Sequence, residues 1–221
     1  MLNIKKLEEK GLDSLCLSVY KSLGYECMFE DGEFEYVDEQ DLLYRNRQNI
    51  CISLGEIGEE PIATLDASLY NAPIDFAPID KEYNYQDIPS LFDIFDMHDA
   101  EKSELMWILT QDDENCDTYN KDLLSKKEKN NLEPYELSML YIEKLNVKEE
   151  FQNLGIGTYL LQNLEEIIAS KLYEKYHFAT ICPDSGSDRY SDLVKLYRKC
   201  GFKVYRHSNF MVKRGTWFIP D

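Results

Sequence analysis

Apolar positions change period several times along the chain, and each change marks an element. Leu12, Leu15, Cys16, Val19 and Leu23 fall at helical spacing, which predicts a helix running to about Leu23 despite Gly11. "YECMFEDGEFEYV" reads as a strand, an Asp31-Gly32 turn and a second strand. After a short polar helix candidate, "NICISLGEIGEEPIATLDASLY" reads as two more strands joined by a glycine-bearing turn. "ELSMLYIEKLNV" alternates as a strand does. Beyond it Ile156, Leu160, Leu161, Leu164, Ile167, Ile168 and Leu172 recur at offsets of 0, 4, 5, 8, 11, 12 and 16, the stripe of an amphipathic helix. "HFATIC" predicts a buried strand, "DLVKLYRKC" a helix stopped by Gly201, and "FKVYRHSNFMVK" two closing strands. Helix and antiparallel strands first, then strand, loop, helix, strand, helix and two strands, make a mixed α/β fold.

Composition interrupts this pattern once. Residues 71–134 hold 16 acidic and 6 basic side chains, so a net of -10 out of the chain's -18 sits in 64 residues. Phe92, Phe95, Trp107 and Leu109 lie among those charges, so the stretch is expected to pack onto something, as an acidic insertion or lid carrying some helix. Without it 157 of the 221 residues remain, the size of one common domain, and the whole chain is expected to be a single domain.

The acid excess, 42 against 24 basic residues, disfavours nucleic acid or an anionic membrane as the main partner. A cationic partner fits better, with solubility alone as the plain alternative. No signal-peptide core and no span-length apolar run occurs, so a cytoplasmic location is the default. Cys16, Cys27, Cys51, Cys116, Cys182 and Cys200 form no C-x-x-C pair and stand at no ligand spacing from His98, His177 or His207. Free thiols in a reducing compartment, structural or surface histidines and no metal site are expected.

The chemistry concentrates in "EEFQNLGIGTYLL". A helix N-terminus offers unsatisfied N–H groups and a partial positive charge, and Gly155 and Gly157 allow close approach of an anion, with the Thr158 hydroxyl as a further donor. On spacing alone a structural turn is equally acceptable. A dinucleotide fingerprint fails, because Leu160 stands where a third glycine is needed and Cys182 where an acid is needed. A Walker loop fails for want of a lysine after either glycine.

Gln152-x-x-Gly155-x-Gly157, following a strand that ends at Val147, resembles the acyl-CoA pyrophosphate loop of the GCN5-related N-acetyltransferase (GNAT) family. "LYRKCGFKVYRHSNFMVK" resembles the same family's Leu-Tyr-x-x-x-Gly-Phe motif and its two following strands, with Tyr197, Gly201 and Phe202 in place. The motifs cover roughly residues 136–213. Two departures stand out: Tyr190 occupies a position where the family often has Asn, with Ser191 or Asp188 as substitutes, and Gln152 lacks the charge of the family's arginine version.

The resemblance implies a central, mostly antiparallel twisted sheet flanked by helices. It also implies transfer of an acetyl group from acetyl-CoA directly to a primary amine, small or on a basic peptide, with no metal. Leu145, Asn146, Val147, Gln152, Asn153, Leu154, Gly155, Ile156, Gly157 and Thr158 would hold the cofactor, and Tyr197 would protonate the leaving thiolate. Strand alternation places Met139, Tyr141, Glu143, Leu145 and Val147 on one face, where Glu143 is the lone carboxylate and the candidate base or water holder. A backbone N–H near Val147 would polarise the thioester carbonyl. A catalytically silent acyl-CoA sensor is the alternative. The amine, the acyl preference and the oligomeric state, a homodimer included, stay open.

Overall fold

A computed structural model describes residues 2–12, 14–23, 47–71, 138–184, 186–205 and 208–215. The expected hairpin at 25–37, the polar helix candidate after it and the acidic stretch after Asn71 lie outside them. Helix α1 (Ile4–Glu8) is a single capped turn: the Asn3 side chain accepts from the Lys6 N–H at 3.2 Å. Gly11, at a φ of 83°, ends any continuation.

Next in the chain is strand β1 (Cys16–Leu23), where helical spacing predicts helix. The apolar residues fit both periods, but Leu15, Leu17 and Val19 also alternate, and all three pack against the core. Tertiary pairing overrides a weak local preference there.

Strands β2 (Arg47–Gly55) and β3 (Ala63–Asn71) form as expected, closed by Ile62 N–H donating to the Leu54 carbonyl at 2.8 Å. Strand β4 (Ser138–Val147) leads through a short 3-10 turn (Glu149–Phe151) to helix α2 (Ile156–Leu172). Strand β5 (Phe178–Ile181), helix α3 (Tyr190–Lys199) and strands β6 (Lys203–Val204) and β7 (Met211–Arg214) complete the order. Among the described residues the sheet has 7 strands, β1-β2-β3-β4-β5-β7-β6, with β5 parallel to β4 and antiparallel to β7, and β6 antiparallel to β7. This is the mixed sheet with flanking helices that the sequence predicts.

The buried stripe of α2 is Ile156, Leu160, Leu161, Leu164, Ile167 and Ile168, and it joins Ile50, Ile52, Leu65, Leu69, Leu140, Ile142, Ala179 and Ile181 in one core. Every second residue of β2, β3, β4 and β5 therefore faces the helices. Backbone contacts divide the chain into two compact units, Met1–Ser22 with Asn49–Leu69 and Met139–Asp221, and Leu23–Gln48 with Tyr70–Ser138. All residues of the candidate site belong to the first; in the second, the described residues are strand ends.

Candidate functional site

Strand β4 outruns its partner. Its ladder with β5 pairs Met139–Ile142 with Phe178–Ile181, and β5 ends there while β4 continues to Val147. Past Ile142 the sheet thus opens between two parallel strands, and backbone groups of β4 border the opening. Parallel strands need a long crossover, here the loop and α2, so the start of that helix sits at the same end of the sheet.

The loop is shaped by two left-handed residues, Asn153 at φ 61° and Gly155 at φ 86°. Asparagine and glycine tolerate that region best. Leu154 and Ile156 turn inward and are buried at 7 % and 1 %, anchoring the loop, and the Leu154 carbonyl accepts from the Asn3 N–H at 2.9 Å. Among the described residues no acceptor takes the backbone N–H groups from Asn153 to Thr158; the helix's own ladder starts with Tyr159 N–H on the Gly155 carbonyl at 2.9 Å. Such a run of donors at a helix N-terminus attracts an anion.

Gln152 braces this loop. Its Nε2 donates to the Val147 carbonyl at 3.0 Å, and its Oε1 accepts from Arg189 Nη1 at 2.9 Å. Gly157 lies where three elements meet: a Cβ there would stand 3.4 Å from Leu145 Cδ2 on β4 and 3.9 Å from Leu196 Cδ2 on α3. The Cys200 thiol reaches the Thr158 carbonyl at 4.0 Å, so α3 is held against the first turn of α2 from its other end as well.

Tyr197 comes directly after Leu196 on α3. It is buried and stacks edge-on against Phe202, with ring centroids 6.3 Å apart. Burial first, then the nearness of Cys182 and Cys200, pushes its phenol above the ordinary 10.0. The hydroxyl makes no hydrogen bond among the described residues. Burial thus favours the protonated phenol, next to Cys182 just beyond the end of β5.

Glu143 looks the other way. Alternation would put it beside Leu145 and Val147, but those two pack against the helix-side core with Leu140 and Ile142, while Glu143 and Lys144 are both exposed. The period slips by one residue there, as in a β-bulge, and the shared face expected of Met139, Tyr141, Glu143, Leu145 and Val147 is corrected accordingly. Glu143 instead accepts from the buried Ser68 hydroxyl on β3 at 2.6 Å, and Ser68 Oγ lies 3.4 Å from the Asn49 side chain on β2. Asp66 shares this side of β3 with Ser68, and it meets Cys51 on β2, whose thiol is pushed up to about 11 by burial and by Asp66.

The structure therefore brings Leu145, Gln152, Asn153, Leu154, Gly155, Ile156, Gly157, Thr158 and Tyr197 together on the helix side of the opening, and Glu143 to its opposite face. Val147 joins them through its carbonyl, and Asn146 is exposed. Thr158 is buried, so its backbone rather than its hydroxyl is the better donor. Asp188 and Ser191 are exposed on either side of Tyr190. Sequence reasoning misses Arg189 and Ser68, which are separated from their partners by 37 and 75 positions. The neutrality of Gln152 is the one hint of the first, and nothing local signals the second.

Among the described residues Cys16, Cys51, Cys182 and Cys200 form no disulfide, and His177 is buried, while Cys27, Cys116, His98 and His207 lie outside the described residues. Among the described residues no cluster of His, Cys, Asp or Glu could hold a metal ion, and no helix is long and apolar enough to cross a membrane.

The family model for the acetyltransferase (GNAT) domain matches residues 102–204. No curated protein matches the sequence. Among solved structures, Arabidopsis thaliana NAA60 in complex with acetyl-CoA is 16 % identical, with 77 % of this chain and 76 % of that one covered at a TM-score of 0.34. AtaTR bound with AcCoA is 10 % identical, with 91 % and 94 % covered at a TM-score of 0.40.

Proposed function

We propose that the chain, residues 102–204 of which match the GNAT acetyltransferase domain, transfers an acetyl group from acetyl-CoA to a primary amine through the opening between β4 and β5. The run of N–H groups from Asn153 to Thr158 that have no acceptor among the described residues carries the reading. It suits a pyrophosphate, and the β4 edge from Glu143 to Val147 suits an extended amide-bearing arm laid beside it.

Bound acetyl-CoA supplies the acyl group as a thioester. Around that bond the residues act from two faces. Glu143, oriented by Ser68, receives the proton released as the amine nitrogen bonds to the acyl carbon, directly or through a water. Tyr197, on the helix face, gives its proton to the sulfur as the carbon–sulfur bond breaks. A β4 backbone N–H near Val147 stabilises charge on the carbonyl oxygen. The products are an amide and a free thiol, with no bond to the enzyme at any stage. An acceptor with a cationic amine matches both the carboxylates Asp66 and Glu143 on that side of the sheet and the net charge of -18.

Thiol release from acetyl-CoA against polyamines, aminoglycosides, amino acids and basic peptides tests this, run beside Tyr197→Phe and Glu143→Gln. Turnover with an amine, lost in both variants, is the expected result. Absence of both acetyl-CoA binding and thiol release would sink the proposal; binding without turnover would favour a sensor.

A further inference from the structure

We propose that Arg189 is a phosphate-binding residue of the cofactor loop, supplying from the start of α3 the positive charge that Gln152 lacks. The inference rests on the acetyl-CoA reading above. A guanidinium carries five N–H donors in a rigid planar fork suited to phosphate oxygens. Arg189 commits Nη1 to Gln152 Oε1 at 2.9 Å, and that same amide donates onward to Val147 at 3.0 Å. The cation is thereby fixed at the loop whose N–H groups from Asn153 to Thr158 have no acceptor among the described residues.

Charge is the second consideration. Acidic residues outnumber basic ones 42 to 24, yet no carboxylate among the described residues forms an ion pair with Arg189. Asp192, in the first turn of α3, pairs with Lys195 at 2.9 Å and feels Arg189 only as a weaker charge beyond ion-pair distance. Arg189 is exposed, so its charge is available to a ligand. A neutral donor would brace Gln152 equally well; an arginine in that place adds what only an anion uses. Backbone donors from the loop and a guanidinium from α3 then close on one phosphate group from two elements.

The shared chemistry is a phosphate of coenzyme A, in the pyrophosphate or on the 3′ position. Dissociation constants of the full chain would be measured calorimetrically for acetyl-CoA, acetyl-dephospho-CoA and acetyl-pantetheine, at low and high salt. Arg189→Gln is expected to weaken acetyl-CoA binding roughly 10-fold, as loss of a charge-assisted hydrogen bond does, and the loss should shrink in high salt. An equal loss with acetyl-dephospho-CoA assigns the pyrophosphate, whereas a loss confined to acetyl-CoA assigns the 3′-phosphate.

Acetyl-pantetheine, which has neither, should bind both proteins alike. Arg189→Lys should keep most of the affinity, and adding Gln152→Arg to Arg189→Gln should restore it. Equal weakening of all three ligands would reduce Arg189 to a brace for Gln152 and overturn the proposal, as would unchanged acetyl-CoA binding. Failure of the wild-type chain to bind acetyl-CoA would instead remove the acetyltransferase reading itself.

Discussion

The two sides of the sheet around the end of β4 use different parts of the polypeptide. On the helix side the loop presents main-chain N–H groups, held by the left-handed Asn153 and Gly155 and by the buried Leu154 and Ile156. On the opposite side β2, β3 and β4 present side chains: Asn49, Cys51, Asp66, Ser68 and Glu143. A main-chain cradle is insensitive to most substitutions and sensitive to backbone conformation, whereas a side-chain array is the reverse. Each side should accordingly fail in its own way, the loop side in cofactor affinity and the strand side in turnover.

The largest effect is expected on the strand side. Glu143→Gln should lower kcat at least about 100-fold, the usual worth of a positioned base, with the acetyl-CoA dissociation constant unchanged. A matching rise in that constant would break the contrast between the two sides.

Tyr197→Phe qualifies that contrast, because the acid proposed on the loop side should fail in turnover rather than in affinity. A fall in kcat of about 100-fold is expected, again without loss of cofactor affinity. Burial raises its phenol above 10.0, and the acid form is the active one, so activity should persist as pH rises and decline only beyond the ordinary tyrosine range. A wild-type alkaline limb below pH 10.0 that vanished in Tyr197→Phe would contradict the raised phenol, and a limb unchanged in Tyr197→Phe would contradict the acid role.

A backbone change comes next. Gly155→Ala forces a side chain into a left-handed residue at φ 86°, which costs about 1–2 kcal/mol, and should loosen acetyl-CoA while sparing kcat. Gly157→Ala has no such strain, only a 3.4 Å contact with Leu145, and should change little in binding or in melting temperature. Equal losses from the two would show that space, not conformation, selects these glycines.

Ser68→Ala, removing the 2.6 Å bond to Glu143, should cut kcat by a factor of about 10, with Ser68→Thr recovering part of it. The smallest test is chemical. With its pKa raised to about 11, only about a thousandth of the Cys51 thiol is thiolate at pH 8, so it should alkylate far more slowly than the exposed Cys182.

Legibility in the sequence divides along the same line. The stripe of α2, the loop and the Tyr197 motif are legible because they are local: period, glycine placement and short spacing carry them. Strand β1 is misread because Leu12, Leu15, Cys16, Val19 and Leu23 satisfy a helical period while the alternation of Leu15, Leu17 and Val19 settles the matter only against neighbouring strands. The slip at Glu143 and Lys144 is hidden since one extra residue leaves no mark on composition, yet it turns Glu143 away from Leu145. Ser68 and Arg189 are contacts between distant segments, which no single stretch of sequence encodes.

The early end of β5 has a further consequence. A sheet that unzips in its middle exposes an open edge at Lys144–Val147, far from the strands where edges are normally guarded by charge or by cover. Gln152 closes the far end of that edge through the Val147 carbonyl, so under the proposed reading a pantetheine arm would lie along the short stretch before it as an added strand does.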